Sequence, residues 1–250
     1  MNRDPVHFSS LKQMALSPAH YRYSVDHGVD ETRAMRVGSV VHALVLGGPY
    51  HLYEGERRGK AWSEFRDEHA DGHTIVTSSE YEDAAAIAAA AIADPVAAQV
   101  LAGPHQTELT LEWEWLGRAC AGRLDLVRSD VVVELKVSNS AEPDRFERLA
   151  FRLGYHAQLA WYLRALGRPL SSRAVIVVVE DKPPYPVTVR QLTERALEMG
   201  EKQCRLWIER LLCCEAADAW PGYAQTVIPL DVPEWAEDQA LLIDGEEVAL

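Results

Sequence analysis

Two carboxylic acids and a lysine at short spacing are the residues of this sequence best suited to chemistry. Asp125 closes one apolar run, and Glu134 and Lys136 lie in the next, beyond a turn predicted at Ser129-Asp130. Residues two apart in a strand point to the same face, so Glu134 and Lys136 project together while Leu135 faces the core. A hairpin would fold Asp125 back beside Glu134. We therefore expect two carboxylates and an ammonium to meet at one point.

Such a cluster is suited to binding a divalent cation next to a phosphate. Two carboxylates, the backbone carbonyl of Leu135 and water molecules supply the hard oxygen ligands that Mg²⁺ or Mn²⁺ takes. A bound cation polarises a phosphate and activates water, and Lys136 can assist either task. The spacing thus indicates a phosphodiester-cleaving centre. Glu and Lys also alternate on many solvated strand faces, so the surrounding elements have to distinguish the two interpretations.

The sequence around these residues predicts a sheet that would position them. Apolar and polar side chains alternate through residues 107–115, which is typical of a half-buried strand whose other face carries Glu108 and further polar residues. The continuous apolar run 174–179 is typical of a buried strand. Strands are predicted at 107–115, 118–127, 130–137, 174–179 and 186–190, the first three as a meander.

Helical patterns precede and follow the meander. Pro18 at a first helical position and the capping-box pattern Ser79-Glu80-Tyr81-Glu82 mark two helix starts, and residues 50–60 are predicted to be irregular. Helices are predicted at 18–28, 32–46, 61–70, 80–93 with one or two more turns to 101, 143–153, 155–166 and 193–217. We expect an α/β fold with a mixed sheet flanked by helices. It would be one domain over 1–250, with a mostly helical part (1–105), a catalytic core (106–220) and an irregular tail (221–250).

Charge and hydropathy limit the kinds of partner that the protein can bind. The net charge of −13 argues against nucleic acid at first, since phosphate contact needs cations. A basic track, that is, a surface on which basic residues cluster, could still bind DNA. The alternative is that the basic residues are scattered and serve only solubility. Arginine and lysine gather at Arg33, Arg36, Arg57, Arg58, Lys60, Arg145, Arg148 and Arg152. No apolar run reaches membrane-spanning length and no signal-peptide core is present, so a cytoplasmic protein without membrane contact is expected.

A second group of residues could complete the site. Gln158 and Tyr162 lie four apart on the predicted helix after the Glu-x-Lys strand and so share a face, where an amide and a phenol could hold a phosphate or a base. His42 lies above Gly38 on an early helix, and the missing side chain of Gly38 would permit close approach of another element. Taken singly, Tyr162 suits a core aromatic and His42 a buried, hydrogen-bonded histidine.

Taken together, these residues resemble a known set. The order His, G-R-x-D, E-x-K and Q-x-x-x-Y is that of RecB-like nucleases in the PD-(D/E)XK superfamily. More specifically, the sequence resembles the nuclease domain of RecE, or exodeoxyribonuclease VIII, and its phage relatives. The passages that carry the likeness span nearly the whole chain: 9–14 with 17–21, 34–45, 154–162, and the tail pieces 220–223 and 232–235.

The resemblance implies a Mg²⁺-dependent exonuclease that degrades one strand of linear double-stranded DNA from its 5′ end. The 3′-tailed product would pass to a single-strand annealing protein, and processive relatives suggest a ring-like trimer or tetramer. Asp125 and Glu134 match the metal-binding acids, Lys136 the catalytic lysine and His42 a histidine that approaches the metal. Contacts to the DNA are expected from Gln158, Tyr162, Arg123 and Arg36.

Two departures and two alternatives accompany this resemblance. Leu124 stands where the superfamily name has proline, as is common in RecB-like members. The four cysteines do not match the pattern of the iron–sulfur relatives, so no cluster is expected. An inactive nuclease fold could instead bind DNA ends as an adaptor, although the intact Asp125, Glu134 and Lys136 speak against it. An endonuclease of the same fold would share the chemistry and differ in cutting closed circular DNA.

Overall fold

The predicted meander lies in a mixed sheet of six strands. The computed structural model describes residues 4–224, 226–232, 241–243 and 246–248. In chain order the elements are β1 (Val6–His7), α1 (Phe8–Leu11), a 3₁₀ turn (Lys12–Ala15), α2 (Pro18–His27), α3 (Arg33–Leu46), β2 (His51–Tyr53), α4 (Gly59–Glu68), β3 (Ile75–Thr77), α5 (Ser78–Ala93), α6 (Pro95–Leu101), β4 (Gln106–Trp115), β5 (Arg118–Val127), β6 (Val132–Ser138), α7 (Pro143–Leu153), α8 (Tyr155–Ala165), β7 (Ala174–Glu180), β8 (Val187–Gln191), α9 (Glu194–Ala217), β9 (Leu241–Ile243) and β10 (Glu246–Val248).

Strand β5 is the branch point of the sheet. One edge of β5 pairs antiparallel with β4 along nearly its whole length. Its other edge is shared, because β6 pairs with it only at Leu126–Val133 and Val127–Val132. The short β1 lies parallel to β5 at Cys120 and Ala121 instead. The strands β5 and β6 therefore diverge immediately after two residue pairs, and a fork opens between them.

The rest of the sheet is regular. Strand β6 pairs in parallel with β7 over seven residues, and β8 closes the sheet antiparallel to β7. This confirms the predicted mixed sheet. The buried β7, with six of its seven residues inaccessible, explains why its sequence is apolar without alternation.

Hydrophobic residues pack on both faces of this sheet. One core joins α1, α2, α8 and α9 to the sheet around Trp161, Leu159 and Ile208. The other joins α3, α5 and α6 around Val40, Ile87 and Leu135. A fully buried Val, Leu or Ile side chain contributes about 1.5–3 kcal/mol relative to an exposed one. The fork between β5 and β6 is thus held from both sides by helices with extensive apolar contacts.

Capping residues fix the helices that flank the sheet. Pro18 begins α2 as predicted, and Ser17 caps the helix, with its hydroxyl accepting the amide hydrogen of His20 at 3.3 Å. Helix α7 begins at Pro143 and ends before Gly154, whose φ of 76° reverses the chain into α8. The capping box of α5 uses Thr77 and Glu80, so the N-cap lies two residues earlier than predicted.

Two predictions about irregular regions were wrong. Residues 50–60 contain β2, which pairs in parallel with β3, and the tail contains the antiparallel pair β9–β10. Strands of two or three residues are too short to produce a period-two signal. Within the described residues no single helix is long and apolar enough to cross a membrane. Helices α5 and α6 reach that length together but are bent by 87°.

Candidate active site

The fork between β5 and β6 brings the three residues of the central motif together. Asp125 lies on β5 where the two strands separate, and its Oδ2 accepts the amide hydrogen of Leu135 at 2.8 Å. Glu134 and Lys136 project from β6 to the same side, and Lys136 Nζ donates to Glu134 Oε1 at 2.6 Å. Leu135, between them in the chain, is fully buried in the core that joins α3, α5 and α6 to the sheet. The arrangement follows from the period of a strand, as predicted from the sequence.

Helix α8 supplies an amide and a phenol to this cluster. Gln158 Nε2 donates to Glu134 Oε1 at 2.8 Å and also lies 2.9 Å from the hydroxyl of Tyr162. The ammonium of Lys136 lies over the ring of Tyr155, 4.8 Å from its centroid. Both predicted residues of the Gln-x-x-x-Tyr pattern therefore reach the motif, and Tyr155 adds a cation–π contact.

Helix α3 approaches from the other side of the sheet with His42. Its Nδ1 lies 3.4 Å from Asp125 Oδ1, so Asp125 is held between an imidazole and a backbone amide. A Cβ at Gly38 would meet no atom within 4 Å. The expectation that Gly38 permits a close approach is therefore wrong, and His42 reaches Asp125 through the placement of α3 alone.

The charges in the fork shift one another's protonation. Burial and the carboxylate of Asp125 raise the pKa of Glu134 to about 7, although Lys136 and His42 oppose the shift. Burial would raise the pKa of Asp125, but His42, Lys136 and the Leu135 amide outweigh it and lower the pKa. Burial would lower the pKa of His42 and of Lys136, but the neighbouring carboxylates leave both raised. The two acids thus differ in their affinity for a proton.

The donor set fits a divalent cation. Glu134 Oε2 is buried and has no hydrogen-bond partner, although an unsatisfied buried carboxylate oxygen is costly. Asp125 Oδ1 lies 3.4 Å from His42 Nδ1. Carboxylate oxygens that lack protein donors are the ligands that Mg²⁺ and Mn²⁺ prefer. Asp125 and Glu134 would hold the cation, and His42 is close enough to join them.

Two residues at the site were not assigned a role from the sequence. Glu108 on β4 lies with His42 and Asp125 so that one ligand atom of each is within 4.8 Å of the others. Lys12, in the 3₁₀ turn, lies near Lys136, and burial together with that second ammonium lowers the pKa of Lys12. Before the structure, Glu108 was distinguished only by its place on the polar face of the predicted strand. Lys12 lies in the passage 9–14, which resembles the RecE nuclease domain.

The two arginines predicted to contact substrate differ in their surroundings. Arg123 lies on β5 with its side chain 72% exposed, and its guanidinium is 2.8 Å from Glu108 Oε2. Arg36 is held by a carboxylate, because its Nε and Nη2 both donate to Glu80 Oε1, at 2.9 and 2.6 Å. Glu80 also lies 3.4 Å from Arg57. The prediction that Arg36 contacts substrate is therefore not supported by its position, since a buried ion pair occupies it.

The predicted basic track is divided in the same way. The five members of the track that precede residue 61 all form ion pairs: Arg33 with Asp83, Arg36 and Arg57 with Glu80, Arg58 with Glu56 and Lys60 with Glu64. Arg145, Arg148 and Arg152 are exposed along α7, which leaves the end of the Glu-x-Lys strand. In the first group Arg36 and Arg57 are largely covered beside the buried Glu80, whereas Arg33, Arg58 and Lys60 stay exposed next to carboxylates.

Gly122 creates the space that Tyr162 occupies. A Cβ at this position would lie 3.0 Å from Cε1 and 3.3 Å from Cδ1 of Tyr162. Such contacts are tighter than ordinary van der Waals separation, so the ring could not keep its place unchanged. The glycine of the G-R-x-D pattern thus serves the position of the phenol on α8.

A mixed sheet with an acid on one forked strand and Glu-x-Lys on the other defines a nuclease-type fold of the PD-(D/E)XK class. The model of one family, described as a PDDEXK-like domain of unknown function (DUF3799), matches residues 7–228. The chain belongs to this family. The superfamily predicted from the motif order is thereby confirmed.

One solved structure shares this fold. The chain is similar to a candidate exonuclease from Eubacterium rectale, at 16% identity and a TM-score of 0.65, over 92% of this chain and 91% of that one. A phage-related exonuclease from Haemophilus somnus 129PT is similar at 14% identity and a TM-score of 0.38, over 85% of this chain and 96% of that one. No curated protein matches the chain.

Proposed function

We propose that this protein is a divalent-metal-dependent exonuclease that degrades linear double-stranded DNA from its ends. The observation that carries the proposal is the fork itself. Asp125 and Glu134 converge there beside Lys136, with Glu134 Oε2 buried and unpartnered. An inactive adaptor would have no need to keep a costly buried carboxylate in this state. A cleavage site needs it as a ligand.

Each residue of the fork has a separate task in this proposal. A bound Mg²⁺ or Mn²⁺ would polarise the scissile phosphate and lower the pKa of a water molecule. Asp125 is oriented by the Leu135 amide, and Glu134 is oriented by Gln158 and Lys136. Lys136, raised in pKa by the two acids, keeps a positive charge where negative charge develops on the phosphate. Gln158 and Tyr162 border the same space and suit a phosphate or a base.

Action on ends rather than on internal sites is supported by the resemblance to the RecE nuclease domain. The solved structure with the same fold, from Eubacterium rectale, is also described as a candidate exonuclease. We propose the 5′ to 3′ direction, leaving 3′ single-stranded tails, on the same resemblance. The exposed Arg145, Arg148 and Arg152 of α7 would contact the DNA backbone, which allows an acidic protein to bind DNA locally.

The test compares linear with covalently closed circular duplex DNA in Mg²⁺, in Mn²⁺ and in EDTA. The proposal requires that linear DNA be degraded in either metal, that circular DNA survive, and that EDTA stop the reaction. Cleavage of the circle would identify an endonuclease, and binding of DNA ends without degradation would identify an adaptor. Asp125→Asn serves as the inactive control. Labelling the 5′ or the 3′ strand end determines the direction of degradation.

The partners of the protein belong to the same proposal. We propose that it forms a ring-like trimer or tetramer around DNA in the cytoplasm and delivers its product to a single-strand annealing protein. Enclosure would compensate for the weak DNA affinity expected of a chain with a net charge of −13. A monomeric mass in light scattering at micromolar concentration would exclude the ring.

A further inference from the structure

Three histidines and an aspartate meet in the unit formed by β2, α4 and β3, apart from the residues of the fork. His51 begins β2, His69 follows the last residue of α4, and His73 lies shortly before β3. Asp71 lies in the turn between α4 and β3. The two ends of the unit are joined because β2 pairs in parallel with β3 and the amide of His51 donates to the carbonyl of Thr74 at 2.9 Å. Four side chains of the kinds that bind metals therefore lie close together.

The contacts among these side chains centre on His51 and Asp71. Asp71 Oδ2 lies 2.8 Å from His51 Nε2 and 4.0 Å from His73 Nε2. The ring centroid of His51 lies 4.5 Å from that of His69 and 5.9 Å from that of His73. The side chains of Asp71 and His73 are 47% and 42% exposed. An ion can therefore reach the group from solvent.

Hydrogen bonds to the backbone orient two of these side chains and leave ligand atoms available. His69 Nδ1 lies 2.8 Å from the carbonyl oxygen of Phe65. Because a carbonyl only accepts, Nδ1 carries the hydrogen and Nε2 has the lone pair. Asp71 Oδ1 accepts the amide hydrogen of His73 at 3.0 Å. His69 thus makes the bond to a backbone carbonyl that is typical of metal-binding histidines.

The unit has little apolar packing of its own. All ten residues of α4 are at least partly exposed, and Trp62 and Phe65 of this helix contact the ring of Tyr53. In β3 only Val76 is buried. Small units that cannot bury a sufficient core are commonly held by a metal or a disulfide, and residues 51–77 contain no cysteine. A metal ion would connect the end of α4 to the two strands.

We propose that one Zn²⁺ ion fixes α4 to β2 and β3, bound by His51, His69, Asp71 and His73. Three imidazole nitrogens and one carboxylate oxygen form a four-ligand tetrahedral set of the donor types that Zn²⁺ takes. Four protein ligands leave no position for water or substrate, so the ion has a structural role. This nitrogen-rich set differs from the carboxylates of the fork, which suit the harder Mg²⁺. The inference goes beyond the proposed function, because none of the four ligands belongs to the fork.

Binding requires the ligand atoms to move together around the ion. Nitrogen and oxygen ligands lie about 2.0–2.2 Å from Zn²⁺, so two ligands of a tetrahedral ion are about 3.4 Å apart. The distances from Asp71 Oδ2, 2.8 Å to His51 and 4.0 Å to His73, lie on either side of this value. The exposed side chains of Asp71 and His73 have room to rotate. We expect binding to rotate these side chains while β2 and β3 stay in place.

The first experiment is a calorimetric titration of metal-free, untagged, full-length protein with Zn²⁺. It is carried out in the Asp125→Asn background, so that the fork lacks one of its ligands. One Zn²⁺ ion should bind per chain, and His69→Gln and His73→Gln should each weaken its binding at least about tenfold. The matched control is His105→Gln, which replaces an exposed histidine and should titrate like its parent.

Two results of this titration would overturn the inference. One is the absence of Zn²⁺ binding, and the other is binding that both His69→Gln and His73→Gln leave unchanged. Neither result would affect the nuclease proposal, whose metal ligands are Asp125 and Glu134.

Limited digestion with trypsin locates the ion without any substitution. Arg58, Lys60 and Arg66 lie between β2 and the end of α4 and are 81%, 88% and 57% exposed. Cleavage of such a segment follows its local opening, which a bound ion opposes. Zn²⁺ should therefore slow cleavage of wild type severalfold at these three residues, and EDTA should reverse the effect. Cleavage at the exposed Arg148 of α7 should not change. Equal rates at the three residues with and without Zn²⁺ would contradict the proposed site.

Discussion

Replacing Glu134 by glutamine is expected to stabilise the metal-free protein while abolishing cleavage. Glu134 is buried, its Oε2 has no partner, and Asp125 is a neighbouring negative charge. Glutamine has nearly the shape of the protonated acid and keeps an oxygen that can accept from Lys136. The substitution therefore removes the unfavourable charge and preserves the packing. It also removes a metal ligand, so activity should be lost.

The magnitude follows from the pKa of Glu134, which rises from 4.5 in the unfolded chain to about 7 in the folded protein. The folded state binds the proton of Glu134 more tightly than the unfolded chain does. The stability that this proton gives the folded protein is therefore fully present below the unfolded pKa and is lost as the pH rises through about 7. With about 1.4 kcal/mol per pKa unit, the stability of wild type relative to Glu134→Gln should fall by about 2 to 3 kcal/mol from about pH 5 to about pH 8. The attraction of Lys136 is contained in this shift.

The measurement is thermal unfolding of both proteins in EDTA at these two pH values. For a chain of 250 residues, each kcal/mol corresponds to about 2–4 °C. Glu134→Gln should gain about 5 to 10 °C over wild type between the lower and the higher pH. Glu112→Gln, which removes an exposed charge, should show no such trend. Added Mn²⁺ should raise the melting temperature of wild type far more than that of Glu134→Gln.

The refuting result is a difference between Glu134→Gln and wild type that is the same at both pH values. The charge of Glu134 would then cost nothing in the folded state. A variant less stable than wild type at the higher pH would show that Lys136 depends on the full charge of Glu134. In either case the buried acid could not be regarded as held ready for a cation.

Three further predictions concern the surroundings of this acid. Lys136→Ala should abolish turnover and leave DNA binding nearly unchanged, because one cation among several contributes little to affinity; cleavage near the wild-type rate would disprove its role. Gly122→Ala should slow cleavage and cost about 1 kcal/mol by displacing Tyr162, whereas Gly38→Ala, which has open space, should be at least as stable as wild type in thermal unfolding. His42→Ala should weaken Mn²⁺ binding about ten- to a hundredfold with partial recovery at high metal, and an unshifted metal midpoint would make His42 purely structural.

The sequence was informative where local rules determine the structure. Strand periodicity placed Glu134 and Lys136 on one face, and helix periodicity placed Gln158 and Tyr162 together. Pro143 and Gly154 marked the two ends of α7, which runs from Pro143 to Leu153 as predicted. Each of these inferences depends on residues close together in the chain, so no tertiary information was needed.

The sequence was less informative where distant contacts determine the structure. Glu108 follows the alternation of β4 and was therefore expected on the outer face, but a backbone distortion opposite Asp125 moves it to the site. Arg36 belonged to a cluster of cations, yet its partner Glu80 lies 44 residues away. Counting charges along the chain cannot reveal which of them a buried carboxylate will neutralise.

Glu80 also has a consequence for substitutions far from the fork. It accepts from Arg36 on α3 and from the amide of Thr77 before α5, and it lies beside Arg57 from the segment between β2 and α4. Arg36 and His42 belong to the same helix, separated by about 9 Å of helical rise. The contacts of Glu80 near the N-terminal end of α3 therefore fix the position of this helix, and with it the position of the His42 imidazole relative to Asp125. A substitution at Glu80 would therefore shift His42 relative to Asp125 and lower the activity. A screen for inactive variants should find such substitutions, even though Glu80 is expected to contact neither the metal nor the DNA.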